Sequence, residues 1–332
     1  MKTGMIGKHF LVEQDWTDEE LNTLLDVAKD LKMRYALDMP TDILKNKTLF
    51  LLMFEESTRT RNAFECGITQ LGGHMNYLTP KGTQVDHGET PQDTIEVLSR
   101  MGHGLGIRNS FVDGHKWMHA LAKYSDIPIY NAQCDIWHPT QALADIMTIK
   151  EKFNNELRGR KFVISWTCAG NYMRPLSMPN SLVTLMPRFG LDVTLAHPKG
   201  FELTDEVMEI AQKNADDHNV KLEVVYDMEE AFEDAHVIYA KGWGPITTVG
   251  DDEERGVAMI NEHPEWFVDN RKMALGSKDA IYMHCMPADR DVEVLSEVLD
   301  GPQSVLYDEA ENRLHTIKAL MAITMGNTTR RG

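Results

Sequence analysis

Residues 48–61 read TLFLLMFEESTRTR. A short, unbroken apolar run bounded by polar residues fits a strand buried on both faces. Ser57 and Thr58 then supply helix-capping hydroxyls, and apolar residues at helical spacing continue to Leu71, so the stretch reads as strand, turn, helix. The same alternation spreads outward from it. Upstream, TDEE at 17–20 has capping-box spacing ahead of leucines at 21, 24, 25 and 31, which predicts an amphipathic helix to about residue 36. Downstream, extended runs at 75–78, 105–108 and 128–130 alternate with helices at 90–101, 114–124 and 139–153, the first of these opened by Thr90 at N-cap and Pro91 at N1. Strands separated by 10–15-residue helices imply βαβ units and a mostly parallel sheet.

At 154–161 the chain turns polar (NNELRGRK), which marks a domain boundary. A second series follows, with extended runs at 162–166, 193–196, 222–226, 237–240, 281–284 and 305–307 and a helix over 204–217. The expected architecture is α/β: two doubly wound parallel-sheet lobes, residues 1–153 and 154–307, with a closing helix over 308–326 long enough to pack back on the first lobe. A chain of 332 residues suits two domains of roughly 150 residues each.

Composition narrows the function. Hydrophobic residues at 42% and charged residues at 26% exclude a disordered chain. The net charge of −17 repels phosphate backbones and anionic lipid, so neither nucleic acid nor a membrane surface is an expected partner. An anionic substrate then requires a local cationic pocket. The four cysteines, Cys66, Cys134, Cys168 and Cys285, form no C-x-x-C pair and no zinc spacing, so reduced thiols and no metal are expected. No apolar stretch approaches the roughly 20 residues of a membrane span, and no secretory signal opens the chain; a cytoplasmic address is expected.

Chemistry-bearing residues gather at predicted strand–helix junctions. Ser57-Thr58-Arg59-Thr60-Arg61 places hydroxyls and guanidiniums at a helix start, where free N–H groups favour anions; it reads either as a phosphate site or as a helix cap with surface arginines. His138-Pro139-Thr140-Gln141 meets another helix start, where histidine and glutamine either donate to an oxyanion or play a structural part. Arg108 ends a predicted strand, the place where ligand crevices form in open α/β sheets. At 284–290 (HCMPADR) a thiol-nucleophile reading is weak, because adjacent strand residues point to opposite faces; carbonyls before Pro287 can instead accept from an amide. Arg313, in the closing helix, is either an anion contact or an exposed helix charge.

Together, STRTR at 57–61, HPTQ at 138–141, HCMP at 284–287 and NRLHTIKA at 312–319 resemble, in order and separation, the aspartate/ornithine carbamoyltransferase family, over about residues 40–326. The resemblance implies transfer of the carbamoyl group of carbamoyl phosphate to an amine, without metal or organic cofactor. It implies that Ser57, Thr58, Arg59 and Thr60 hold the phosphate and that Thr60, Arg108 and His138 polarise the carbamoyl oxygen. Gln141 and the carbonyls of Cys285 and Met286 hold the carbamoyl NH₂, and Arg313 completes the site. Arg59, Thr60, Arg108 and His138 are the implied catalytic residues. The segment KGTQVDHGE at 81–89 is similar to a family loop that enters a neighbouring subunit's site, which makes Gln84 a carbamoyl-phosphate contact and the assembly a homotrimer.

For the acceptor, Lys241-Gly242-Trp243 stands where ornithine enzymes of the family carry an acid. It is similar to the knotted branch acting on N-acetyl- or N-succinylornithine, and so is the long connection over 167–181. Lys241 favours a carboxylate and disfavours a free ammonium. Two departures from that branch are Asp289 in place of an arginine and Glu293 in place of a lysine; Gln133 aligns with a glutamate. The resemblance thus implies an N-acylated or modified diamino acid bound by Gln133, Lys241, Trp243 and Asp289. The alternatives are ornithine itself and a non-catalytic carbamoyl-phosphate-binding regulator. A nucleotide-dependent oxidoreductase is disfavoured, since no predicted strand is followed by G-x-G-x-x-G.

Overall fold

The computed structural model describes residues 4–169 and 174–326. The chain divides into two compact units, Met1–Met147 with Ala310–Gly332, and Thr148–Glu309. In the first unit α1 (Asp18–Ala36) begins at the expected capping box: the Thr17 hydroxyl accepts from the Glu20 N–H at 3.2 Å and the Glu20 carboxylate from the Thr17 N–H at 2.8 Å. Next come β1 (Thr48–Met53), α2 (Thr58–Gln70), β2 (His74–Leu78), α3 (Pro91–Met101), β3 (Gly104–Asn109), α4 (Gly114–Ala122), β4 (Ile129–Cys134) and α5 (Pro139–Lys152). The strands form one parallel sheet in the order β2-β1-β3-β4. Leu49, Leu51 and Leu52 of β1 are wholly buried, as are Phe64 and Ile68 of α2, so the apolar run that opened the reading lies in the core of this layer.

The second unit continues with β5 (Lys161–Ser165), α6 (Ser177–Leu185), β6 (Asp192–Ala196), α7 (Asp205–His218), β7 (Leu222–Val225), α8 (Met228–Phe232) and β8 (Val237–Ala240). It closes through α9 (Ile246–Val249), α10 (Glu253–Asn261), α11 (Asn270–Met273), β9 (Ile281–Met283) and α12 (Ser296–Leu299), and α13 (Leu306–Thr324) carries the chain on. Its sheet is parallel, in the order β7-β6-β5-β8-β9. No described helix is long and apolar enough to cross a membrane.

Both sheets reverse winding direction once, between β1 and β3 and between β5 and β8. Ligands of open α/β sheets bind outside the carboxyl ends of the strands at such switch points. The loop after β1 carries Ser57 and the carboxyl end of β3 carries Arg108 in one unit, and the loops after β5 and β8 carry Arg174 and Lys241 in the other.

Two expectations need correcting. Residues 305–307 are not a strand: Ser304 makes only an isolated bridge to Tyr282, and α13 starts at Leu306 with Asp308 and Glu309 in its first turn, where acids suit the helix dipole. The strand expected at 128–130 runs on to Cys134, and there Asn131, 1% exposed, donates its amide N–H groups to the Leu11 carbonyl and to Cys134 Sγ. The connection expected to be knotted, 167–181, contains residues 170–173, which lie outside the described residues.

Candidate functional site

In the first unit, β1 delivers the chain into α2 with Ser57 as N-cap, its hydroxyl accepting from the Thr60 N–H at 3.3 Å. Thr58 is exposed and Ser57 and Arg59 are half-buried, leaving first-turn N–H groups and hydroxyls at the open end of the helix. Thr60, 1% exposed, faces inward, and its Oγ1 accepts from Arg313 Nη2 at 3.1 Å. Arg313 Nη1 donates to Gln141 Oε1 at 2.5 Å, and Gln141 Nε2 donates to Asp145 Oδ1 at 2.7 Å. Three residues singled out separately in sequence thus form one buried chain. Asp145 was missed; its signal is the i+4 spacing from Gln141 on α5.

Arg108 is placed by register. β3 and β4 slip by one residue between Ile107 and Arg108, so Arg108 pairs with Gln133 on one side and Met53 on the other; such bulges re-aim side chains. The Arg108 guanidinium lies 3.1 Å from Glu55, whose carboxylate accepts from Ser110 Oγ at 2.6 Å and from Ser110 N–H at 3.1 Å. Glu55 is a second residue that the sequence reading did not assign; it reaches Arg108 across 53 positions of chain. His138, 5% exposed, precedes α5. Its turn is clamped by Cys134, whose N–H donates to the Trp137 carbonyl at 2.8 Å and whose Sγ accepts from the Trp137 N–H at 3.1 Å. Burial pushes the Cys134 thiol up to about 12, so it acts as a structural acceptor, not as a nucleophile. Gln84 lies on an exposed single turn, Gln84–His87, and among the described residues makes no side-chain hydrogen bond to the Thr60–Arg313–Gln141 chain.

In the second unit the loops after β5, β8 and β9 converge on Glu293, which is fully buried. Its Oε1 accepts from Arg174 Nη1 at 2.6 Å, the Gly242 N–H at 2.7 Å and Thr167 Oγ1 at 3.2 Å; its Oε2 accepts from the Asp289 N–H at 2.8 Å. Arg174 Nη2 also donates to Asp289 Oδ2 at 2.6 Å. Burial alone would raise the Glu293 carboxyl, but the His284 ring, Lys241 and Arg174 hold it well below the usual carboxylate range. Gly242 has no alternative there: a Cβ would lie 2.4 Å from Ala169 Cβ and 2.9 Å from the Thr167 carbonyl. Arg174 was not assigned from sequence, because its partners stand 115 and 119 residues away.

His284 Nδ1 accepts from the Met286 N–H at 2.8 Å, so its proton sits on Nε2, which faces Glu293 at 3.6 Å. Burial lowers its pKa, and the ring is a neutral brace for the Cys285–Met286 turn. That turn carries Met286 at φ +57° and a cis Met286–Pro287 peptide. Trp243, expected to meet the acceptor, is 1% exposed; its indole N–H donates to the Phe201 carbonyl, and its own carbonyl accepts from Trp166 Nε1. Its side chain is committed to the core, where it anchors the segment bearing Lys241.

Comparison with known proteins agrees with this geometry. The family pattern described as aspartate/ornithine carbamoyltransferase, carbamoyl-P binding domain, matches residues 8–151, and the corresponding Asp/Orn binding domain matches residues 173–324. The ornithine carbamoyltransferase of Thermococcus kodakarensis is 38% identical over 98% of this chain and 99% of its own length, and that of Carboxydothermus hydrogenoformans is 37% identical over 96% and 98%. Among solved structures, ornithine carbamoyltransferase from Pyrococcus furiosus superposes with a TM-score of 0.88 at 36% identity, covering 99% of this chain and 100% of that one. An acetylornithine transcarbamylase complexed with acetylcitrulline gives 0.87 at 34%, covering 95% and 98%. With both halves of its sequence matched and the two sheets in place, the chain belongs to the aspartate/ornithine carbamoyltransferase family and is a carbamoyltransferase.

Proposed function

We propose that the enzyme transfers the carbamoyl group of carbamoyl phosphate to the amine of a small acceptor that carries a carboxylate, an N-acylated or otherwise modified diamino acid. In this reading the amine nitrogen attacks the carbamoyl carbon, the carbon–oxygen bond to phosphate breaks, and phosphate leaves with the bonding electrons while the amine gives up a proton. The first turn of α2, with Ser57, Thr58, Arg59 and Thr60, holds the phosphate. Thr60, Arg108 and His138 donate to the carbamoyl oxygen as it gains charge; each such donor contributes roughly 3 kcal/mol to lowering the barrier. Arg313 and Gln141 fix Thr60 and the carbamoyl NH₂, with the carbonyls of Cys285 and Met286 as further acceptors. Gln84, exposed on its turn, serves the site of a neighbouring subunit in a homotrimer. No metal or organic cofactor takes part.

The single observation that carries the acceptor assignment is the Glu293 carboxylate, which holds the Gly242 and Asp289 N–H groups on its two oxygens and so brings the Lys241 and Asp289 backbones together. Lys241 then attracts the acceptor carboxylate, and Asp289 accepts from a donor group on the same molecule, with Gln133 contributing an amide. A second reading, ornithine as acceptor, is favoured by the names of the sequence relatives at 37% and 38% identity. Screening ornithine, N-acetylornithine, N-succinylornithine, 2,3-diaminopropionate and putrescine for carbamoyl-phosphate-dependent ureido product tests both. Lys241→Ala is expected to lower kcat/KM for the carboxylate-bearing amines at least tenfold while sparing putrescine. Equal turnover of the panel by wild type and variant refutes the assignment.

A further inference from the structure

A buried carboxylate stays ionised only where donors and cations surround it, and Glu293 has both. The groups gathered around it are Arg174 and Lys241, cationic, Asp289, anionic, and the neutral His284. Counting Glu293, the charges cancel. The two carboxylates that grip Arg174 occupy both of its terminal nitrogens, whereas Lys241 makes no side-chain hydrogen bond or short ion pair among the described residues. Asp289 keeps 40% of its side chain exposed.

We infer that Glu293 is a specificity-determining positioning residue: by neutralising Arg174 and pinning the Gly242 and Asp289 backbones, it leaves Lys241 as the cation offered to the acceptor. The enzyme therefore favours acceptors with one carboxylate over acceptors with two. This rests on the reading of Lys241 and Asp289 as acceptor contacts. Glu293→Gln keeps the side-chain size but leaves Arg174, Lys241 and Asp289 with one net positive charge, so a second acceptor carboxylate becomes welcome. Arg174→Gln removes a cation and shifts preference the other way.

The test compares kcat/KM for N-acetylornithine, with one carboxylate, and N-succinylornithine, with two, together with the carbamoyl phosphate dissociation constant from calorimetry. Glu293→Gln is expected to move the ratio toward N-succinylornithine at least tenfold, Arg174→Gln to move it oppositely, and Glu293→Asp to retain the wild-type preference, with carbamoyl phosphate binding within twofold throughout. Parallel loss with both acceptors at an unchanged ratio, or equally weakened carbamoyl phosphate binding, overturns the inference. Hydrogen exchange gives a readout that needs no acceptor: Glu293→Gln is expected to speed exchange in peptides containing the Gly242 and Asp289 amides, and unchanged exchange overturns the positioning role. A wild-type enzyme that carbamoylates neither amine sinks the acceptor reading, and the exchange result still decides the positioning.

Discussion

Glu55→Gln isolates one charge behind the proposed oxyanion donor Arg108. The pair is 3.1 Å apart with side chains 17% and 20% exposed, so at an effective dielectric of about 20 the Coulomb attraction is about 5 kcal/mol. Desolvation of two partly buried ions offsets most of that, and a net loss of about 1–2 kcal/mol in orienting Arg108 is expected. Because Arg108 is proposed to meet charge that develops only in the transition state, the loss belongs in kcat, a fall of roughly 5- to 30-fold. The KM for carbamoyl phosphate moves differently: deleting a negative charge near a dianion leaves it unchanged or lowers it. Ser110→Ala, which removes the 2.6 Å bond to Glu55 but no charge, serves as a milder control. Steady-state kinetics with varied carbamoyl phosphate, alongside a thermal melt, reads the split. A raised KM with kcat intact, or no change in either, refutes the proposed chain from Glu55 through Arg108 to the substrate.

Other outcomes are open to measurement. Ser57→Ala removes the N-cap of α2 and is expected to cost about 1 kcal/mol of stability as well as weakening phosphate binding; a melt and a phosphate titration check both. Gly242→Ala drives a Cβ into Ala169 and the Thr167 carbonyl, so acceptor turnover collapses while carbamoyl phosphate binding, followed by calorimetry, persists. Burial lowers the pKa of His9, His197, His236 and His284 and brings His315 down to about 4. Below about pH 6.5 the unfolded chain takes up protons that the native imidazoles refuse, so stability falls as pH drops, by up to roughly 3 kcal/mol from His315 alone. Urea unfolding at pH 8 and pH 5 should show the lower midpoint at pH 5, and a midpoint independent of pH contradicts this.

What could be read from the amino acids follows how local each signal is. The β1 run, the Thr17–Glu20 box and the Thr90-Pro91 helix start are written in neighbouring residues, and they stand where expected. The end of β4 was hidden because Asn131 and Gln133 break the apolar pattern, and the Leu11 carbonyl and Cys134 Sγ, which accept from Asn131, explain why an amide is tolerated there. Residues 305–307 misled for the opposite reason, since three apolar positions fit strand and helix equally. In the candidate site, Thr60, Gln141 and Arg313, singled out in three separate motifs, meet in one hydrogen-bonded chain, whereas Glu55, Asp145 and Arg174 depend on partners that folding alone brings near, and Glu293 was read only as a departure from the acylornithine pattern.

The single reversal of winding in each sheet has a consequence for diversification. A pleated layer wound outward from a central pair leaves one gap where loops can vary without disturbing the ladder beneath them. In the second unit the stretches that follow β5, β8 and β9 are joined by one acidic rivet. A new appetite for amines can therefore arise by rewriting a few loop letters, while the scaffold and the handling of the activated donor are inherited untouched.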